Sequence, residues 1–505
     1  MLRLLGSRKT LCDGLSRRDL LSLGGLSTLG AGTAAVTLTD WLERKPLQSA
    51  EATHETHFGQ AKSCILLFLF GSPPQHETFD PKPDAPAEVQ GELKAISTNV
   101  PGVEIGERLP LTAQVMDKMT IVRSMSHPYP VHGVAYAVTG MPTYTPDIEA
   151  KPRDPMHWPY LGSVVDFVER RKAQNTNSSP VPNNVGLPWR FGSKSDLPTL
   201  AGPYASFLGT AFDPIWTDFD GAGTRVVPRL ADAQTKQIRD PFGGTVPDGR
   251  FRLSETGPLE GLSSNRFDVR RLLLSQFDSQ RDWLERHRGI ESFSSHQKTA
   301  YSLLTTNKVR DALDVQRESD SLRQRYGMTL FGQSCLAARR LVEAGTKFVS
   351  IFWDPFEVFG GSCWDTHANH FPRLKEYLLP TFDQSYSALL RDLDERGLLD
   401  ETLVLCISEH GRTPKIDSKP VGAARHHWSS VYSAAFAGGG IARGKIVGKS
   451  DAQGGYVASN PVSPKDILAT SLHLLGINPH VTVPNQVNQP VVAAGDGQVR
   501  HELLG

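Results

Sequence analysis

Carboxylates and imidazoles in this chain gather just behind its most apolar runs. After CILLFLF (Cys64–Phe70) the sequence supplies Ser72, His76, Glu77 and Asp80. After KFVSIFW (Lys347–Trp353) come Asp365, His367 and His370, and after TLVLCI (Thr402–Ile407) come Ser408, Glu409, His410 and Arg412. RHHW then places His426 and His427 just before VYSAAFA (Val431–Ala437). Carboxylate oxygen with imidazole nitrogen is the usual mixed donor set for a hard or borderline divalent cation. Singly, each signal is weak: Asp-x-His is more often a capped turn, and His-His is often surface. Convergence gives them weight.

That convergence depends on the elements that carry them. Short unbroken apolar runs read as buried central strands. Helical patterns separate them at Leu161–Lys172, Asp268–Ala344 and Phe371–Arg396, so strands and helices alternate. The pattern predicts an α/β fold, a doubly wound α/β/α sandwich on a mostly parallel central sheet. In such sheets ligands bind beyond the carboxyl ends of the strands. Residues of about 262–345 read as a helical insertion, and 172–195 as loop.

Composition narrows the class. The 505 residues carry 54 Lys+Arg and 54 Asp+Glu, which removes the basic surplus a nucleic-acid binder usually shows. Cys12, Cys64, Cys335, Cys363 and Cys406 are too sparse for a disulfide framework and contain no C-x-x-C pair. Ser16-Arg17-Arg18-Asp19-Leu20-Leu21 resembles a twin-arginine signal, and Leu20–Leu38 is uncharged but Gly-rich. The expected organisation is a signal peptide over 1–35, a linker over 36–60 and one domain over 61–505. Export by the twin-arginine translocase to a periplasmic or extracellular location follows, with no stable membrane span after cleavage. An uncleaved N-terminal anchor is the alternative.

The order Asp365, Glu409-His410, His427 resembles the metal-ligand order of the alkaline phosphatase superfamily, which includes the sulfatases. The tail VSPKDILATSLHLLGI (Val462–Ile477) is similar to that superfamily's closing helix. TFDPKP (Thr78–Pro83), WDTH (Trp364–His367) and S-E-x-G-R-T-P (Ser408–Pro414) resemble a twin-arginine-exported, sulfatase-like branch, a domain-of-unknown-function family. Three features depart from the superfamily pattern. Glu409 stands where Asp is usual, and Gly71-Ser72-Pro73 follows the first strand in place of an acid. HPYPVHGVAYAVTG (His127–Gly140) offers His127 and His132 but no Cys, and the formylglycine motif is absent.

The resemblance implies a metal-dependent hydrolase of phosphate or sulfate esters, small-molecule or polysaccharide, using zinc, manganese, calcium or magnesium. Asp365, His427 and either His367 or His370 would hold one cation. Glu409, His410 and a carboxylate folded back from Glu77 or Asp80 would hold a second. Arg412 would clamp the oxyanion, and His132 would act as ligand or general acid. Attack by activated water stands level with a covalent intermediate. The alternative is an exported binding protein that keeps the fold without catalysis, with Arg412 serving only as the partner of a nearby carboxylate.

Overall fold

The computed structural model describes residues 57–505 except 142–147, 153, 155, 174–180, 197–199, 228–237, 254–306 and 358–362. His57–Gly505 forms one compact unit. The expected signal peptide and most of the linker lie outside the described residues, as does much of the 262–345 segment.

Nine strands form the main sheet: β1 (Ser63–Leu69), β2 (Met119–Met125), β3 (Asn184–Leu187), β4 (Ile215–Asp220), β5 (Arg250–Leu253), β6 (Phe348–Trp353), β7 (Thr402–Ile407), β8 (Tyr432–Ala437) and β9 (Lys445–Val447). Their order is β9-β2-β8-β7-β1-β6-β3-β4-β5. The central pairs β7·β1, β1·β6, β6·β3 and β3·β4 are parallel, as is β2·β9. Only β8, with its neighbours, and β5 run antiparallel in this sheet. The sheet is therefore mixed and mostly parallel, and the 172–195 stretch read as loop contains β3.

Alternate residues of β1 feed two cores. Ile65, Leu67 and Leu69 join α3 (Leu330–Glu343) and α4 (Leu379–Glu395) through Leu336, Leu341, Leu389 and Leu393. Cys64, Leu66 and Phe68, with Phe70 just past the strand, join α1 (Val134–Thr139), α2 (Leu161–Ala173) and α5 (Pro464–Leu474) through Val134, Val138, Val164, Val165, Leu468 and Leu472. Burial on both faces is why these strands read as unbroken apolar runs rather than alternating ones. Within the segment read as an insertion, α3 is a core helix against the sheet. The start of α5 is written locally: Ser463 and Asp466 form a reciprocal capping box, with Pro464 in the first turn.

Register sets the rim. Leu69 pairs Trp353 and Phe68 pairs Ile407, so β1, β6 and β7 end level with one another. Because β8 is antiparallel to β7, its start lies at that same edge, and Met125 at the end of β2 pairs Tyr432. Four connections thus open at one rim: those after β1, β2 and β6, and the one that joins β7 to β8.

Candidate metal centre

At this rim Gly71 turns the chain out of β1 with φ +94. A Cβ there would lie 2.2 Å from Asp365 N, so only glycine lets the Asp365 loop approach this closely. The Gly71 N–H donates to Glu409 Oε1 at 2.7 Å, and its carbonyl accepts from Arg412. The stretch that offers no acid after β1 therefore supplies backbone, which locks two other loops together. A two-stranded ribbon pairs Arg412 with His427 and draws the Glu409-His410 loop beside the His427 segment.

Two groups of donor atoms result, each within 4.8 Å: His132, Asp365, His367 and His427 in one, and His132, Glu409 and His410 in the other. Asp365 is 1 % exposed; its Oδ1 lies 3.0 Å from His367 Nε2 and 3.3 Å from His427 Nε2. Among the described residues, buried Asp365 Oδ2, Glu409 Oε2 and His410 Nε2 find no hydrogen-bond partner, the nearest approach to Asp365 Oδ2 being the ion-pair contact of His132 Nε2 at 3.4 Å. Buried polar atoms are normally satisfied, so three unpaired ones in neighbouring donor groups require an explanation.

The imidazole tautomers, inferred from the hydrogen-bond network, sharpen the point. His410 Nδ1 lies 2.8 Å from the Gly411 carbonyl, which can only accept. Nδ1 must then carry the hydrogen, and Nε2 of the neutral ring presents a lone pair. His427 Nδ1, 3.2 Å from the Pro130 carbonyl, likewise leaves Nε2 as an acceptor. Asp417 Oδ2 takes the hydrogen of His426 Nε2 at 3.2 Å; His426 Nδ1 then accepts from His367 Nδ1 at 2.9 Å. His367 Nε2 is thereby a lone pair as well, facing His427 Nε2 at 3.0 Å and a carboxylate oxygen. Two lone pairs and an anion at such separations repel unless a cation or a proton joins them. Pinning the second nitrogen of a ligating histidine is the usual outer support of a metal site.

Protonation follows the same charges. Burial alone would raise the Asp365 carboxyl, but Arg412 with His132 and His367 carries it well below the usual range. Burial opposes the His132 imidazolium, yet Asp365 and Glu409 raise it to about 9. Burial, then the charges of His427, Arg412 and His132, hold His410 neutral. Burial also lowers His427.

Several expected residues lie elsewhere. The structure brings His367, not His370, to Asp365 and His427. His370 is fully buried, with Nδ1 2.7 Å from Thr366 Oγ1 and Nε2 3.6 Å from Glu77 Oε2. Glu77 Oε1 accepts from Arg425 Nε and a terminal guanidinium nitrogen at 3.0 and 2.6 Å, and Arg425 with other neighbours lowers this carboxyl to about 2 despite burial. Asp80 pairs Lys82 at 2.9 Å and accepts from Ser450. Neither acid folds back to the donor groups. Arg412 also departs from the expected oxyanion clamp. It is fully buried, and its guanidinium donates to the Gly71, Ser72 and Arg425 carbonyls and to Asp365 Oδ1 at 2.5 Å. Its fork is committed to backbone and to holding Asp365. Asp417 and His426 were not assigned from sequence as supports; the His-His pair was the available signal, but its partner was not.

A family model described as "Protein of unknown function (DUF1501)" matches residues 61–504. No curated protein matches the chain. Among solved structures, that of Ps i-CgsB is 12% identical, with 86% of this chain and 74% of that one covered at a TM-score of 0.36. PsFucS1 sulfatase from Pseudoalteromonas sp. is 12% identical, covering 88% and 75% at 0.34. The phosphonate monoester hydrolase SpPMH from Silicibacter pomeroyi is 12% identical, covering 88% and 76% at 0.29. Scores this low carry no argument about the site.

Proposed function

The chain belongs to the DUF1501 family, and we propose that it is an exported, metal-dependent hydrolase of phosphate or sulfate esters. The observation that carries this reading is the set of unpartnered ligand atoms on Asp365, Glu409 and His410 beside the facing Nε2 atoms of His367 and His427. Asp365, His367 and His427 would hold one cation, and Glu409 with His410 a second, with His132 between them. The abundance of imidazole favours zinc over manganese, calcium or magnesium, which suit oxygen-rich shells. A bound cation would supply Lewis-acid polarisation of the ester oxygens.

The chain's own residues position these donors. Arg412 fixes Asp365, and Asp417 acting through His426 fixes the tautomer of His367. Hydroxyls nearby are already engaged: Ser72 Oγ accepts from His410 N, Ser408 Oγ donates to the His410 carbonyl, and Thr366 Oγ1 pairs His370. Burial pushes the Cys363 thiol up to about 11, far from a thiolate at neutral pH. These facts favour water over a side chain as the attacking group. An open groove of about 560 Å³ lies beside the centre: His426, which contacts His367, lines it with Trp428, Tyr456, Lys415 and Asp417, while the donor residues themselves do not. Aromatic faces mixed with charges suit a polar, ring-bearing ester, whether small molecule or polysaccharide.

Protein stripped with a chelator and reloaded with zinc or manganese should hydrolyse members of a phosphate and sulfate ester panel. Glu409→Ala should not. The commitment of Arg412 to backbone favours a second reading, an exported binding protein. Wild-type protein that holds metal yet is inert across the panel would establish that reading instead. Export by the twin-arginine route rests on Arg17-Arg18, and replacing both by Lys should retain the precursor in the cytoplasm. Among the described residues no helix is long and apolar enough to cross a membrane.

A further inference from the structure

His132 differs from the histidines around it. His410, His427 and His367 each spend Nδ1 on a carbonyl or another imidazole, leaving one nitrogen for a cation. His132 turns Nδ1 to Glu409 Oε1 at 3.0 Å and Nε2 to Asp365 Oδ2 at 3.4 Å. Its two nitrogens therefore face two different donor groups, and it is the residue common to both. The ring is wedged in place, with centroids 5.2 Å from Phe70, 4.2 Å from His427 and 5.6 Å from His410. Its side chain is only 14 % exposed. Turning the ring to give both cations the same nitrogen would break this packing.

We propose that His132 is a bridging ligand joining two divalent cations, with Nε2 on the one held by Asp365, His367 and His427 and Nδ1 on the one held by Glu409 and His410. The proposal rests on the metal-centre reading given above. A bridging ring is an imidazolate: as the two nitrogen–metal bonds form, the Nδ1 and Nε2 hydrogens leave as protons to solvent. No electron is transferred. With Asp365 and Glu409, the imidazolate places an anionic donor in both coordination groups. It also makes the two cations electronically dependent on each other, which carboxylates coordinating each separately would not do.

Copper(II) is the probe, because it favours imidazole and carries one unpaired electron. Metal-stripped wild-type protein is titrated with copper(II), followed by bound-metal analysis and low-temperature electron paramagnetic resonance. At one equivalent a mononuclear signal should appear. At two it should collapse as the electrons couple through the ring. His132→Ala should show no collapse, its signal growing with every copper bound. Wild-type protein that binds two coppers with a full, additive signal, or saturates at one, would overturn the bridge while leaving the metal centre standing. No copper binding at all would overturn the metal-centre reading and the bridge with it. The wild-type titration decides the matter even if the variant fails to fold.

Discussion

Between α3 and α4, Arg339 meets Glu318 at 2.8 Å, Glu343 at 2.7 Å and Asp392 at 2.9 Å, while Tyr326 and Arg396 donate to Asp392 at 2.8 Å each. At the sheet rim, charged groups are packed as tightly, but Asp365 Oδ2, Glu409 Oε2 and His410 Nε2 have no hydrogen-bond partner among the described residues. The first cluster pairs opposite charges and ties helices together. The second also pairs Arg412 with Asp365, but beside that pair it sets the facing Nε2 atoms of His367 and His427 against a carboxylate oxygen. Neither burial nor charge density separates a structural network from a site; acceptors held against one another are the better sign, because a fold gains nothing from holding lone pairs together unless something positive joins them.

Arg412 and Asp392 break the comparison most sharply. Arg412→Ala takes the guanidinium from buried Asp365 and should lose about 3–5 kcal/mol of stability in denaturant unfolding, while Asp392→Ala leaves Arg339 on Glu318 and Glu343 and should lose less. Only Arg412→Ala should also lose bound metal, because Asp365 then swings free of its support. Arg412→Ala protein that keeps its stability and metal but loses turnover would return Arg412 to the substrate.

Asp354 is an intermediate case. It follows β6 and accepts from Trp189 Nε1 at 3.0 Å and Gly192 N at 2.9 Å, yet among the described residues Oδ1 is unpartnered and no cation pairs it. Burial raises its carboxyl to about 7. The unfolded chain gives up this proton near pH 4 while the folded chain keeps it to about 7. Stability is therefore lost as pH rises through that window, up to roughly 4 kcal/mol at one pKa unit per 1.36 kcal/mol. Asp354→Asn should match wild type near pH 4, exceed it above pH 7, and leave metal content unchanged. A variant no more stable than wild type at pH 8 would show that this carboxyl titrates normally. At the small end, Ser463→Ala removes the capping box of α5 and should cost about 1 kcal/mol in thermal unfolding, again without loss of metal.

The strands legible in the sequence were those buried on both faces. Thr402–Ile407 is β7 as read, the runs at Lys347–Trp353 and Val431–Ala437 start one residue before β6 and β8, and Cys64–Phe70 is shifted by one residue from β1. Peripheral strands were not legible: β3 is only NVGL, and β4, IWTDFD, alternates with charge. At the site, Asp365, Glu409, His410 and His427 were expected together because strand ends of a parallel sheet share a rim, and the fold gathers them there. His367 and His370 could not be told apart, because only Ala368 and Asn369 separate them and only the fold aims one at Asp365. The contacts of Arg412 were not legible, because its motif says nothing about which way the guanidinium points. The support from Asp417 through His426 depends on a crossing of two loops, and no local spacing encodes that.

Elemental analysis of purified protein tests the central claim most directly, comparing wild type with His410→Ala, His427→Ala and, as the paired-network control, Asp392→Ala. The account predicts divalent metal in wild type and in folded Asp392→Ala, with a marked loss in His410→Ala and His427→Ala. Equal metal content in all four, or none in wild type after reloading, would contradict it.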